Sequence, residues 1–401
     1  MTTHVFIVDS NTFPIHLRYM FAGTGFKEND INLNNFEQIE LHHIIEKTLI
    51  GLLSDIKRVR AGDKVIFYLM QTSKNEGKFF GIFKIKNHEP LVFHECGGNY
   101  LNEYLKKELI FRTLLEPVEV YPNGVTEWEA LDNIAQIENP KDLIWSLIYR
   151  KLKANRGCTP ITEEESDKLI QLIKEKNNHQ HIDIPNNLTF DNNLQKIVIN
   201  TEEIVTYDGS KTEEELDIFP LMKLRCGVGR SHEVHLQSYI TENAGKNNIS
   251  LNQITGLNNE IIWLGNEVSC GVGMQRVDIF SIVFINNQKE FRVIELKCVY
   301  ATPDITRQLK RYIDWTRLFI NDANIEKIQP MIISLKIPSY SRSLKRKYET
   351  EEQTTYSDFF LSLINNLNQF NLENNCKPIR FFEYKINEDE IIFEEFDYDA
   401  R

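Results

Sequence analysis

Between Arg276 and Val299 the residue order leaves the backbone little choice but a β-hairpin. Arg276–Ile285 is almost wholly apolar, rich in β-branched and aromatic residues, and interrupted by a single acid, Asp278. Asn286, Asn287, Gln288 and Lys289 supply turn chemistry, and Phe291–Val299 is the returning strand. Alternation puts Val293, Glu295 and Lys297 on one face and Ile294, Leu296 and Cys298 on the other. Asp278 falls opposite the neighbourhood of Lys297. Two carboxylates and one ammonium therefore converge at one end of the hairpin.

Charges inside apolar strands are costly unless they are paired or bind a metal. Two adjacent carboxylates repel each other and attract a divalent cation, and oxygen-only ligands favour Mg²⁺ or Mn²⁺ over zinc. The neighbouring lysine suits a pentavalent phosphate or an attacking water, so the set has the equipment for metal-assisted phosphodiester hydrolysis. A Glu-x-Lys pair on a solvated strand face is the competing reading, and the apolar flanks weigh against it.

The segment after the hairpin reads as a helix capped by Thr302, with Pro303 in its first turn and Ile305, Leu309, Ile313 and Thr316 facing inward. Gln308, Arg311, Tyr312 and Trp315 line another side. Between Arg292 and Arg317 six basic residues (292, 297, 307, 310, 311 and 317) stand against three acids (295, 304 and 314), in a chain of net charge −12. Arg307, Lys310 and Arg311 belong to this local surplus, where a phosphate backbone would lie. Upstream, Ser231 is the expected cap of a helix carrying Glu233 in its first turn, which complements the helix dipole. His232 and His235 lack the spacing and the third ligand that zinc needs.

The 401 residues exceed one ordinary core, so two globular units are expected. The assignment is 1–175 for the first, 176–220 for a linker or insert rich in Asn, His and Gln, and 221–401 for the second. Within the first unit, Phe36–Ile56 and Asp142–Leu152 read as helices. Glu163–Lys174 is another, capped by Thr162, and the strands Arg60–Leu69 and Gly77–Ile85 form a hairpin. In the second unit, Ile328–Leu335 reads as a strand, Asp358–Phe370 as an amphipathic helix, and Pro378–Tyr384 with Glu390–Phe396 as a closing hairpin. Arg342, Lys345, Arg346 and Lys347 make a basic loop. The acidic balance excludes a histone-like binder, no apolar stretch approaches bilayer length, and no secretory signal opens the chain. Six scattered cysteines without a C-x-x-C pair point to reduced thiols and a cytoplasmic setting.

Glu233–Ile240, Gly273, Val277-Asp278-Ile279, Val293–Lys297 and Gln308–Tyr312 occur in the order of the PD-(D/E)xK nuclease core, and residues 225–320 resemble the NucS/EndoMS branch of that superfamily. The resemblance implies Asp278 and Glu295 as metal ligands, Lys297 as the catalytic lysine and Glu233 as an auxiliary acid. It also implies Gln308 and Tyr312 as helix residues bordering the site. The first half resembles PUA-like/EVE modules, through its opening strand, Phe21–Gly25, Arg60–Tyr68, Gly77–Ile85, Trp145–Tyr149 and Asn155–Thr159. Those barrels hold a flipped or modified base. Phe21, Tyr68, Trp128, Trp145 and Tyr149 are the expected stacking aromatics.

The expectation is a mixed α/β chain: a PUA-like barrel with helices, then a restriction-endonuclease-like mixed sheet flanked by helices. It would act as a cytoplasmic, Mg²⁺- or Mn²⁺-dependent endonuclease, in restriction of modified or foreign DNA or in repair. Its partner would be double-stranded DNA, and it would be a homodimer. A non-catalytic nucleic-acid-binding scaffold and an RNA-directed nuclease are the alternatives.

Overall fold

The computed structural model describes residues 1–25, 43–73, 76–95, 101–105, 109–132, 139–144, 157–183, 187–207, 209, 213–214, 217–227, 233–270, 275–337 and 358–398. Trp145, Tyr149, Asn155, Arg156, Ser231, His232, Gly273 and the basic loop residues Arg342, Lys345, Arg346 and Lys347 lie outside the described residues. The chain divides into two units, Met1–Leu224 and Arg225–Arg401, and the fold is mixed α/β.

In the first unit the strands are β1 (Thr3–Val8), β2 (Phe21–Thr24), β3 (Lys64–Leu69), β4 (Lys78–Ile85), β5 (Phe93–Glu95), β6 (Phe111–Pro117), β7 (Val125–Thr126), β8 (Cys158–Ile161), β9 (Leu188–Asp191), β10 (Lys196–Ile199) and β11 (Glu213–Glu214). A curled sheet runs β11-β5-β6-β4-β3-β1-β8, with β2 on β6 and β7 on β4. β1 and β3 are parallel, while β3 and β4 form the expected antiparallel pair. Asp63, in the turn before β3, ties this centre together. Its carboxylate accepts from the Thr2 and Arg60 amides at 3.0 and 3.1 Å and meets His4 Nε2 at 2.8 Å. Burial lowers the His4 pKa against the opposing pull of Asp63. Gly62, at φ 85°, makes the turn possible.

The expected Phe36–Ile56 helix is described as His43–Lys57. Of the expected Asp142–Leu152 helix, only a 3₁₀ turn, Pro140–Asp142, falls within the described residues. Thr162 caps Glu163–Lys176 through a complete capping box, with Thr162 Oγ1 accepting from the Glu165 amide at 3.2 Å and Glu165 Oε2 from the Thr162 amide at 3.0 Å. Thr162→Ala is expected to destabilise the first unit by about 1 kcal/mol, read as a lowered urea midpoint at unchanged slope; an unmoved midpoint would refute it.

The stretch expected to be a linker or insert, 176–220, contains the hairpin β9–β10. Leu188, Phe190 and Ile197 are buried, and Phe190 packs against Phe13 and Phe80 with ring centroids 5.0 and 5.4 Å apart. Three apolar residues among asparagines are a weak pattern, yet each reaches the core. The unit boundary accordingly falls after Leu224.

The second unit is one mixed sheet in the order β12 (Ile261–Ser269), β13 (Arg276–Ile285), β14 (Gln288–Lys297), β15 (Ile328–Leu335), β16 (Arg380–Ile386) and β17 (Ile391–Glu395). β12, β13 and β14 are antiparallel, β14 to β16 parallel, and β17 closes antiparallel. The β13–β14 turn is tighter than expected: only Asn286 and Asn287 lie in it, at φ 51° and 63°. Asparagine tolerates this left-handed pair, which matches the twist of the flanking strands.

The helices Ile305–Phe319 and Asp358–Glu373 link the parallel strands. Ile305, Leu309 and Ile313 pack with Phe360, Leu363 and Leu367 onto Val277, Phe280 and Val293. Asp304, not Thr302, occupies the cap position, and Thr302 Oγ1 donates to its carboxylate at 2.6 Å. The other side expected of this helix, Gln308, Arg311, Tyr312 and Trp315, divides between core and surface. Tyr312 and Trp315 are buried, so the apolar stripe is wider than four residues.

Candidate functional site

The candidate site lies at the end of β13 and β14 where the ladder between them stops. The strand register pairs Ile279 with Ile294, which brings Asp278 toward Glu295 rather than Lys297, two residues from the expected position. Asp278 Oδ2 accepts from the Leu296 amide at 2.8 Å. Glu295 is completely buried. Its Oε1 accepts from Lys297 Nζ at 2.6 Å, while its Oε2 has no N–H or hydroxyl donor among the described residues. Lys297 Nζ also donates to the Leu296 carbonyl at 2.9 Å and approaches Glu233 Oε1 at 3.4 Å. Four predicted residues, Asp278, Glu295, Lys297 and Glu233, thus meet.

Electrostatics explain the strain of that meeting. Burial, and after it the charge of Glu295, raises the Asp278 pKa well above the ordinary carboxyl value. Burial also raises Glu295, although Lys297 pulls it back. For Lys297 burial works against the charge, but Glu295, Glu233 and Asp278 together outweigh it and hold the ammonium above the usual lysine value. The carboxylate pair is therefore short of positive charge by its own chemistry.

A divalent cation fits this donor set on one direct observation: among the described residues the buried Glu295 Oε2 has no N–H or hydroxyl donor, so its one neighbour in reach is the Asp278 carboxyl, which can bond it only by keeping a proton that a cation would replace. Asp278 and Glu295 would hold it. Among the described residues no group of three His, Cys, Asp or Glu side chains forms a metal cluster. Two carboxylates remain compatible with Mg²⁺, which keeps several waters.

The remaining predicted residues separate. Gln308 is half-buried and donates to Tyr312 Oη at 2.9 Å, so it braces the tyrosine rather than joining the carboxylates. Tyr312 is only 3% exposed, and burial followed by the Glu295 charge pushes its phenol pKa upward. As a DNA-contacting residue Tyr312 is corrected: it lacks the surface to touch a backbone, and it packs beneath the site as a neutral phenol. Arg307, Lys310 and Arg311 are exposed on the same helix, and Lys310 Nζ donates to Asn374 Oδ1 at 3.3 Å. Arg292 drops out of the basic surplus. It is buried and bonded to Glu290 Oε1 and the Ile254 carbonyl, both at 2.7 Å.

In the first unit, Phe21 and Tyr68 have no exposed surface, which corrects their assignment as stacking residues. Phe21 lies under the Arg112 guanidinium, 5.1 Å from the ring centroid, and edge-on to Tyr207. Tyr68 packs tilted against Phe79, ring centroids 4.9 Å apart, and donates from Oη to Glu127 Oε1 at 2.6 Å. An aromatic sealed on every side has no face for a base. Trp128 is 59% exposed.

Sequence reasoning missed Glu267 and gave Gln237 no role, although both lie beside Asp278. Gln237 Nε2 donates to the Asp278 carbonyl at 2.9 Å, and Glu267 raises the Asp278 pKa further. The positive φ of Glu267, 50°, has no signature in composition.

The chain matches no protein-family model and no curated protein. Among solved structures it is similar to a hypothetical protein from Leishmania major, with 11% identity over 44% of this chain and 96% of that one, at a TM-score of 0.29. It is also similar to human THYN1 protein, solved in complex with DNA containing 5-methylcytosine, with 10% identity over 43% of this chain and 98% of that one, at a TM-score of 0.25. A protein from Pseudomonas syringae is 16% identical over 42% of this chain and 98% of that one, again at 0.25.

Proposed function

We propose that the second unit is a Mg²⁺- or Mn²⁺-dependent DNA endonuclease and that the first unit recognises a base or a DNA feature. The observation that carries the nuclease reading is the buried pair Asp278 and Glu295, with one carboxylate oxygen that meets no N–H or hydroxyl donor among the described residues and Lys297 at 2.6 Å. A divalent cation held there supplies Lewis acidity for phosphodiester hydrolysis. Lys297 contributes a permanently charged Nζ, fixed by Glu295 and the Leu296 carbonyl, which stabilises charge developing on a phosphate. Glu233, with its side chain 44% exposed, opens the same cluster to solvent and to substrate. Exposed Arg307, Lys310 and Arg311 seat the DNA backbone. The recognition role of the first unit rests on its sequence resemblance to PUA-like/EVE modules, with the stacking residues sought away from Phe21 and Tyr68. Cutting both strands calls for two such sites, hence a homodimer, with defence or repair as the setting.

The test is cleavage of unmodified, 5-methylcytosine-containing and phage-modified DNA with Mg²⁺ or Mn²⁺, comparing the native chain with Asp278→Ala and Lys297→Ala. Metal-dependent cutting lost in both variants is the expected result. No cutting of any DNA, with binding retained, would turn the reading toward a non-catalytic scaffold. Preferential cutting of structured RNA would change the substrate class.

A further inference from the structure

The Asp278 side chain is held by its own sheet, through the Leu296 amide, but its backbone carbonyl is bonded from outside it. The β12–β13 ladder pairs Asn266 with Ile279 and Val268 with Val277, but it skips Glu267 and Asp278 between them. Glu267 sits at φ 50°, a left-handed conformation that is strained for a residue other than glycine and that collects at functional sites. The Asp278 carbonyl accepts instead from Gln237 Nε2, at 2.9 Å. Gln237 Oε1 in turn accepts from Asn266 Nδ2 at 3.2 Å, and both amide side chains are buried. Gln237 and Glu233 are four residues apart on the helix Glu233–Asn243, so they share one face. One face of one helix therefore reaches Lys297 through Glu233 and the Asp278 backbone through Gln237.

We propose that Gln237, backed by Asn266, is the positioning residue of the candidate site, and that it sets the Asp278 carboxylate relative to Glu295. The proposal rests on the nuclease reading. A buried amide spent on a strand carbonyl, at a point the register of the ladder skips, is a costly way to stabilise a sheet. It is a direct way to fix the backbone beneath a ligand, because strand pairing alone would leave Asp278 to follow the pleat. Groups standing behind metal ligands in this manner commonly change metal affinity or activity by about 10–100-fold when removed.

The experiment uses the full chain with Gln237→Met and Gln237→Glu. The first keeps the volume and forms no comparable hydrogen bond; the second keeps the acceptor toward Asn266 and, when ionised, loses the donor toward Asp278. Mn²⁺ affinity by calorimetry, kcat and KM for plasmid cleavage, and Tm are measured together. The expected result is Mn²⁺ affinity and kcat each lowered about 10–100-fold, with KM for DNA changed much less. Wild-type Mn²⁺ affinity and kcat in either folded variant would overturn the proposal, whatever the change in Tm. Failure of both variants to fold would also overturn it, by assigning Gln237 to stability. If the unmodified chain neither binds Mn²⁺ nor cuts, the nuclease reading itself fails, and that result is read before any variant is compared.

Discussion

Asp278→Asn is expected to make the metal-free protein more stable at neutral pH while lowering DNA cleavage by about a thousandfold, near 4 kcal/mol of activation free energy. The stability change comes from the sign of the shift. Burial and then Glu295 raise the folded-state pKa of Asp278 above the unfolded value, so the carboxyl is favourable when protonated. Its contribution is complete below the ordinary value of 3.8 and is lost as pH rises through the folded-state pKa. Above that window the wild type holds two buried acids against one lysine. Asparagine removes one of those charges, and its side-chain oxygen can still accept from the Leu296 amide. Each pKa unit is worth about 1.4 kcal/mol, and each kcal/mol about 2–4 °C of Tm in a domain of this size. Thermal melts from pH 4 to 8 should show the variant gaining on the wild type as pH rises. Added Mn²⁺ should reverse the order, since only the intact pair binds it well. A variant less stable than wild type at pH 8 without metal would refute the electrostatic account, and undiminished cleavage would remove Asp278 from the chemistry.

Arg58→Ala should cost the first unit about 3–5 kcal/mol. Arg58 and Asp55 have side chains with no exposed surface, and Arg58 Nη1 lies 3.3 Å from Asp55 Oδ1. Its Nη2 donates to the Cys158 carbonyl at 3.1 Å, which ties the helix His43–Lys57 to β8. Alanine removes both links and leaves a buried carboxylate without this cation. The control is the pair Asp55→Leu/Arg58→Met, which removes charge and cation together and should recover most of the loss. Urea unfolding of the three proteins decides it. A single variant within about 1 kcal/mol of wild type would refute the prediction, since it would mean that the Asp55 carboxylate is not stranded when Arg58 is removed. A double variant no better than the single would place the cost in the lost Cys158 link.

Much of the architecture is legible in the residue order. Thr162 followed by Glu165 locates a helix start, and the run from Arg276 to Lys297 locates both hairpin strands. Both are local patterns, set by residues within a turn or a pleat of one another. Asp278, Glu295, Lys297 and Glu233 can be named because acids and a lysine inside apolar strands, or at a helix start, stand out against their neighbours.

Other features depend on contacts between distant segments. Phe21, Tyr68 and Tyr312 carry the residue type of a binding surface, but the tertiary structure buries them. Periodicity shows which way a side chain points and says nothing about what covers that face. Arg292 counts toward a basic surface until Glu290 and the Ile254 carbonyl enclose it. Three apolar residues in an asparagine-rich stretch form a packed hairpin, because Phe13 and Phe80 lie ready to receive Phe190. The two-residue offset between Asp278 and its expected partner comes from a tighter turn than composition suggests. The residue order by itself determined which chemical groups are present and the pleat or helix face each occupies. Only the tertiary structure decided which of them meet, which are sealed in the core, and that Gln237 holds the backbone beneath Asp278. Those outcomes depend on long-range packing and burial, which no local spacing encodes.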